Sequence, residues 1–479
     1  MDDTLHVQPH PLGMTSTKRP TLIVTCLATA MLMLDIAVVN TAMAHIGGDL
    51  HASLDSLKWV VDAYTLALAT TVLTIGSLAD RFGRRNVFAA GLVVFTVASL
   101  VCALADSIAM LNAARVVQGI GASGLFASSL ALLVNAYPEQ RERNGAMAIY
   151  GATIGASFAV GPLVGGALTS GLSWRWIFLI NLPIGIGALA VTLRRVAESK
   201  DPAARRVDVP GQVALTGGLF LLVLALLRGN DVGWGATSTI VELAGAAVLL
   251  LSFVRIEQRV REPMLPLSLF RIPAFAGAQI TVFAISASFF AVYLYATLYL
   301  QNVLGLSAIE AGLAYLPGTL IMFFVAGASA QLVEKVGPRA LIAGGLTLIA
   351  AGMGLMTLAT ENSSWTIILP GFLLASVGTG LFNPALAGVA MSSAPIEMSG
   401  LASGVNDTFR QGGIALGVAA LGTLIPSASV HLHDAAYVDG MRTAMIVGAA
   451  VCAVGAIAGW RLIGGRETYG VGAAVPEAA

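Results

Sequence analysis

Charge is scarce in this chain. Asp, Glu, Lys and Arg make up 11% of its 479 residues, against 57% that are apolar. A soluble domain of this length needs a polar coat that so few charges cannot supply, so a large water-soluble core of buried helices is excluded. A net charge is missing too. Basic and acidic side chains number 26 each, which leaves no basic field to hold nucleic acid. There are three cysteines, Cys26, Cys102 and Cys452, each inside an apolar run, where a small packing residue is expected rather than a disulfide partner or ligand. No His/Cys cluster has metal spacing, and the pair His431 and His433 falls in a polar loop. Nucleophile elbows and Gly-Lys phosphate loops are absent, and "GIGASG" lies in an apolar run where it serves helix packing. No catalytic residue, cofactor or metal is therefore expected, which argues against a membrane enzyme. Loops of about 15–20 residues at most leave no soluble domain for a receptor or scaffold. The first 19 residues carry prolines and few apolar side chains, with no signal-peptide pattern, so the first long span is expected to be an uncleaved helix.

What the chain does have is apolar length. Its mean hydropathy is +0.83, and runs near the ~20 residues that cross a hydrocarbon core recur along it. Bounded by charges and Gly/Pro turns, they give 14 candidate spans between residues 21 and 461, an all-α integral membrane protein. An even count puts both termini on one side of the membrane. With that side cytoplasmic, 20 of the 26 Lys and Arg residues fall in cytoplasmic loops and tails, and Lys58, Arg175, Arg228 and Arg442 remain outside. That asymmetry predicts both termini inside.

One charged stretch occurs twice. "GSLADRFGRR" (76–85) follows the second span, and "AQLVEKVGPR" (330–339) follows the tenth, at a constant offset of 254 residues. Asp80 matches Glu334, Arg81 matches Lys335, Gly83 matches Gly337 and Arg85 matches Arg339. "GLF" at 124–126 returns at 380–382. Such an offset implies six spans, two inserted spans and six more, and repeated halves mark secondary transporters whose site lies between them. The predicted divisions are a tail (1–19), a first six-helix bundle (20–195), two inserted helices with flanking loops (196–272), a second six-helix bundle (273–463) and a tail (464–479). In the repeated turn a small residue at Gly76 allows helices to approach, Asp80 can cap or pair with Arg81, Arg84 or Arg85, and Gly83 permits a tight reversal. The turns, with Glu334, Lys335, Gly337 and Arg339, are a candidate cytoplasmic gate between the halves. The alternative is a set of positive-inside anchors.

With these stretches in place, the chain resembles the major facilitator superfamily, and its 14 spans are similar to those of the drug:proton antiporter branch. "GSLADRFGRR" is similar to that family's loop motif, "LDIAVVNTA" (34–42) to the first-helix motif of the branch and "RVVQGIGAS" (115–123) to the fourth-helix motif. "GASFAVGPLVGGAL" (155–168) resembles the fifth-helix motif associated with antiporters. "WRWIFLINLPIG" (174–185), "YLQNVLGLSAIEAGL" (299–313) and "NDTFRQGGIALGVA" (406–419) also resemble this branch. The resemblance, which covers about residues 20 to 461, implies a proton-coupled exporter of small hydrophobic compounds, cations among them, acting as a monomer in the plasma membrane. Its partners are the substrate, protons and the bilayer. The alternative is a proton symporter or facilitator for a nutrient or metabolite.

Ionisable groups at membrane depth are costly and point to function. Asp35, Asp62 and Arg115 fall at similar heights in spans 1, 2 and 4, so three helices of one half can bring them together. The resemblance implies proton coupling for the first-helix acid, Asp35, and the fourth-helix arginine, Arg115. Asp62 is the second candidate, and a static ion pair is the alternative. In span 5, Gly155, Gly161, Pro162, Gly165 and Gly166 form a small-residue face with a kink that can seal the cavity against proton leak, or can simply pack. Asp407 and Arg410 share one face of span 13 and can form a local ion pair. The branch pattern has a neutral residue where Asp407 stands, so this acid is a candidate substrate-side feature. Asn40, Tyr64, Gln118, Asp407 and Arg410 are the candidate cavity residues. Aromatics such as Phe289, Phe290, Tyr293 and Phe324 are expected to be divided between cavity, helix packing and lipid.

Overall fold

The computed structural model describes residues 14–200, 208–393, 399–426 and 434–465. Among these residues there is no strand; helices and short turns account for the architecture. Backbone groups in hydrocarbon have no water to bond, so apolar sequence of this length is stable only when each segment satisfies its own N–H and C=O groups, as a helix does.

The first set is α1 (Met14–Asp49), α2 (Leu54–Phe82), α3 (Arg84–Ala103), α4 (Ile108–Ala136), α5 (Gln140–Gly171), the short α6 (Trp176–Leu179) and α7 (Asn181–Arg195). A hairpin follows, α8 (Val209–Val232) and α9 (Thr237–Arg259). The second set comprises α10 (Pro273–Ile285), α11 (Ala291–Leu298), α12 (Ala308–Val336), α13 (Pro338–Met356), α14 (Leu369–Ser392), α15 (Ser399–Gly422) and α16 (Ala435–Leu462). One π-helical turn, Ser286–Phe290, joins α10 to α11, and another, Tyr299–Val303, extends α11. Twelve spans among the described residues are long and apolar enough to cross a membrane. The helices α5 and α15 are 32 and 24 residues long and lie outside that set.

The helix ends are set by local chemistry. The side chains of Ser53 and Ser107 accept from the backbone N–H groups of Ser56 and Met110 at the starts of α2 and α4. Ser307 and Glu310 form a reciprocal capping box on α12. Gly83 (φ 110°) and Gly337 (φ 87°), the two glycines matched by the repeat, separate α2 from α3 and α12 from α13 in backbone conformations that side chains avoid.

The two sets share one plan. Where α2 and α3 pack on α4, α12 and α13 pack on α14; where α3 packs on α7, α13 packs on α16. The contacts between sets exchange partners in the same way: α5 lies against α12, and α15 against α2. A large apolar cluster runs through this interface, from Val38 and Val61 in the first set to Tyr295, Phe372 and Val418 in the second. Outward faces stay apolar, with Val248 and Leu251 of α9, Phe324 of α12 and Val454 of α16 each more than 60% exposed. That surface suits lipid and is unsuited to water.

Candidate functional site

A polar hub lies inside the first set. The Arg115 guanidinium forms a buried ion pair with Asp35, and both side chains are almost wholly sealed from solvent. Gln118, one turn along α4, accepts from Arg115 at 2.7 Å and donates to the second Asp35 oxygen at 2.9 Å and to Ser99 Oγ at 2.8 Å. Asn181, at the start of α7, donates to Asp35 at 3.3 Å. Arg115 Nε donates to the Val60 carbonyl of α2 at 2.9 Å, and its plane lies 4.3 Å from the Tyr64 ring centre. Five helices thus meet in one network around the Asp35 carboxylate, and each charge is matched by hydrogen bonds, as burial requires. The sequence pairing of Asp35 with Arg115 is present. Gln118 and Tyr64, expected to line the substrate cavity, belong to this hub instead, because their helix faces turn toward Arg115. Ser99 and Asn181 carry no charge to attract notice; the only cue was an asparagine breaking the apolar run "FLINLPIG".

Asp62 does not join the hub. It is fully buried on α2, and neither carboxylate oxygen has a hydrogen-bond partner. One turn earlier stands Lys58, which the sequence assigned to the outer side but which is only 3% exposed. Its ammonium reaches the Gly422 carbonyl of α15, in the other set, at 3.5 Å.

A cavity lies between the sets at the level of the hub. Its walls include Ile36, Ala37 and Asn40 of α1, Val61 of α2, Phe289 and Phe290 of the first π-helical turn, Tyr293 of α11, and Phe372 and Ser376 of α14. At about 60 Å³ it is constricted relative to a drug-sized pocket. None of its lining residues is charged. Of the five cavity candidates, Asn40 lines it and Asp407 and Arg410 do not. Two wall residues keep a polar atom without a partner, Asn40 (Oδ1) and Tyr293 (hydroxyl). Asp407 is buried on α15, where Arg410 keeps an unpartnered Nε, and no ion pair within 4 Å joins the two among the described contacts. Glu242 pairs with Arg228 across the α8–α9 hairpin at 3.0 Å.

The repeated turns bind within their own halves. Arg84 Nε donates to Asp80 at 2.9 Å. The Arg84 and Arg85 amides donate to the Ser199 carbonyl and the Glu198 carboxylate, each at 3.0 Å, just beyond α7. In the second copy, Arg339 donates to the Ile463 carbonyl at 2.7 Å, just beyond α16. Each of these bonds fastens a turn to the last long helix of its own set. Arg81 lies against the Phe82 ring, and Lys335 is exposed. A Cβ on Gly76 would meet only Ala127, at an ordinary 3.7 Å, so close helix approach does not require glycine there. At Gly83 a Cβ would stand 2.6 Å from the Glu198 carboxylate, so sterics and dihedral both favour glycine. The side chain of Glu334 lies outside the described residues, as do Gly155 at the side-chain level and both His431 and His433.

The α5 glycines serve two contacts. Added Cβ atoms on Gly161 and Gly165 would collide with Ala37, Thr41 and Val38 of α1. On Gly166 the collision is with α12, 2.5 Å from the Ala308 carbonyl oxygen. Gly312 of α12 lies in turn against the carbonyl of Pro162. Gln301 adds a polar tie across the same end, donating to the Thr41 carbonyl at 2.8 Å.

Two sets of helices packed on one plan, with a cavity between them and a buried charge hub beside it, define a membrane transporter. The chain belongs to the Major Facilitator Superfamily, whose model matches residues 25–418. It is 34% identical to the multidrug resistance protein Stp of Mycobacterium tuberculosis (strain CDC 1551 / Oshkosh), over 94% of this chain and 92% of that one. It is 38% identical to the cephamycin export protein CmcT of Amycolatopsis lactamdurans, over 86% of each. It is 35% identical to the methylenomycin A resistance protein of Streptomyces coelicolor, over 93% and 92%. The human organic anion transporter MFSD10 (TETRAN) shares the fold, with a TM-score of 0.64 at 16% identity, covering 94% of this chain and 100% of that one.

Proposed function

We propose that the protein exports small apolar compounds across the plasma membrane in exchange for protons, with both termini cytoplasmic. The chain then crosses the membrane fourteen times, α5 and α15 completing the twelve evident spans, and α8 and α9 are an insertion between two six-helix bundles. It works as a monomer. Relatives named for resistance and export, at 34–38% identity over most of their length, support the direction.

The observation that carries the reading is the Asp35–Arg115 hub beside a cavity between the halves. Access alternates when the halves rock. An acid whose ion pair tightens on one side and loosens on the other can take up a proton in one state and yield it in the other. Asp35 is that acid, Arg115 is its tuning partner, and Gln118 and Asn181 orient its carboxylate. Asp62, buried one turn from Lys58 and outside the hub, is the second candidate acid. The gate turns keep each half rigid, and the α5 glycines close the end away from the termini. The substrate meets aromatic rings and the neutral polar groups of Asn40, Tyr293 and Ser376. That lining favours neutral or weakly polar aromatic compounds over the cations also expected from the sequence.

Reconstitution tests the reading. Liposomes with an acidic interior should lose protons when an exported compound is added, and Asp35→Asn should abolish the response. Proton entry alongside a nutrient in the wild type would replace export with symport.

A further inference from the structure

Two carboxyl groups meet at the foot of the α8–α9 hairpin, the end where Thr74 of α2 donates to Gln212 of α8. Asp208 caps α8, one oxygen accepting from the Gly211 amide at 2.9 Å. Glu257, in the last turn of α9, accepts from the amide of Leu265, in the linker toward α10, at 3.0 Å. The two residues are 6% and 4% exposed, and each keeps its second oxygen without a donor. Those two oxygens converge: a Cβ on Gly211 would stand 2.4 Å from Asp208 Oδ2 and 3.1 Å from Glu257 Oε1. Glycine at 211 leaves the space in which the acids face each other, close enough for their side chains to bond. Two buried carboxylates so placed repel when both are ionised. One proton removes the conflict, because one acid then donates to the other in a charge-assisted hydrogen bond and the pair titrates as a unit.

The described charges around the foot are turned elsewhere. Arg255 and Arg259, two residues either side of Glu257, are exposed, as are Lys200 before the hairpin and Arg261 and Glu262 after it. Arg271, at the end of the short helix Leu267–Arg271, is exposed too. On α2, Asp80 is bonded to Arg84, and Arg81 lies against Phe82. On α15, Asp407 and Arg410 stand beside Phe409, whose ring packs on Phe270. Among the described contacts none of these groups reaches Asp208 or Glu257. Asp201, Arg205 and Arg206 lie outside the described residues.

We propose that Asp208 and Glu257 hold one proton between them and form a pH-operated clasp, which fastens the hairpin to the linker before α10 and opens when both acids ionise. On loss of the proton, repulsion drives Glu257 from Asp208 and the Leu265 amide loses its acceptor. Met264 and Leu265 then loosen from the apolar cluster they share with Ala214, Leu215 and Phe253 of the hairpin. Leu269 and Phe275 carry the same cluster on into the second set, so the clasp governs how firmly the hairpin is tied to that set. With the termini cytoplasmic, it reads cytoplasmic pH: acid fixes the hairpin to the second set and alkali frees it. Its proton is separate from the one assigned to Asp35, and the clasp holds whether or not transport exchanges protons.

The test is the mobility of a spin label on the linker, in the full chain in nanodiscs. The label is placed at Arg261→Cys, in a background with Cys26, Cys102 and Cys452 replaced by Ser or Ala. Between pH values of about 5 and 9, a range that brackets perturbed carboxyls, the label should pass from immobile to mobile. The ratio of the two populations should change roughly tenfold per pH unit, the slope of a single proton. Asp208→Asn and Glu257→Gln each put an amide N–H where the proton stood, and Asn still caps a helix. Both variants should therefore keep the label immobile at every pH. A label that ignores pH in the parent chain, or that follows pH unchanged in either variant, overturns the clasp. If Asp208→Asn does not fold, Glu257→Gln alone decides. Immobilisation by Mg²⁺ at fixed pH, lost in Glu257→Gln, would make the pair a metal site and overturn the shared proton.

Discussion

Gly166 of α5 packs so closely on α12 that a Cβ would stand 2.5 Å from the Ala308 carbonyl oxygen. The contact joins the two halves backbone to backbone, with no side chain to yield. Gly166→Val should therefore hold that end apart, whereas overpacking within one half costs only ~1–3 kcal/mol of stability. Transport should fall by an order of magnitude or more while thermal stability in detergent drops modestly. Wild-type transport by a folded Gly166→Val variant would reduce the α5 face to ordinary packing.

Asp35 has three side-chain donors, from Arg115, Gln118 and Asn181. Arg115→Ala would leave its carboxylate buried with amide donors alone, and breaking a buried pair from one side costs ~3–5 kcal/mol. Expression should drop sharply in that variant. Asp35→Asn keeps the shape and should fold, bind compounds and fail to accumulate them against a gradient. Binding measured by tryptophan quenching, beside flux, separates the two effects.

Asn181→Leu removes a 3.3 Å bond to Asp35 without touching a charge. If Asn181 orients the acid, the pH profile of transport shifts while the maximal rate changes little. An unmoved profile would make Asn181 a packing residue.

The cavity wall bears rings and neutral polar groups, with no carboxylate among its lining residues. A neutral aromatic compound should compete for binding at least tenfold more strongly than a quaternary ammonium of equal size, since a desolvated cation there lacks a counter-charge. Tyr293→Phe should weaken compounds that bear a hydrogen-bonding oxygen and spare hydrocarbons. Equal competition by the cation would reverse this assignment.

Gly83→Ala meets both a positive φ and the Glu198 carboxylate. A cost of about 1–3 kcal/mol is expected from backbone strain alone. Glu198→Gln should cost less by itself and partly relieve the Gly83→Ala variant, which a thermal-melt double-mutant cycle would detect.

The helices were legible from the chain because apolar length and hydrocarbon thickness leave few alternatives. The apolar run that opens at residue 21 anticipates α1 but starts inside Met14–Asp49, since hydropathy fades before the backbone stops hydrogen bonding. The repeat at offset 254 foretold the matched Gly83 and Gly337 turns. Depth arithmetic brought Asp35 and Arg115 together. It failed for Asp62, because equal height says nothing about which way a helix face turns. Lys58 looked like a loop charge because it stands at the edge of an apolar run, yet burial depends on what α15 places opposite. Glu198 and Ser99 had no local signal, because their roles exist only once distant helices meet.

The α8–α9 hairpin lies along one of the two seams between the halves. Trp59 of α2 and Phe220 of α8 lie 5.8 Å apart, and Asn230 donates to the Thr423 carbonyl just beyond α15 at 2.5 Å. The α2–α15 seam therefore carries a load that the matching α5–α12 seam does not. A machine built from two like halves becomes lopsided, with a hairpin laid along one seam and none described along the other. A compound dissolved in the bilayer meets a shielded flank on one side of the protein and a bare one on the other.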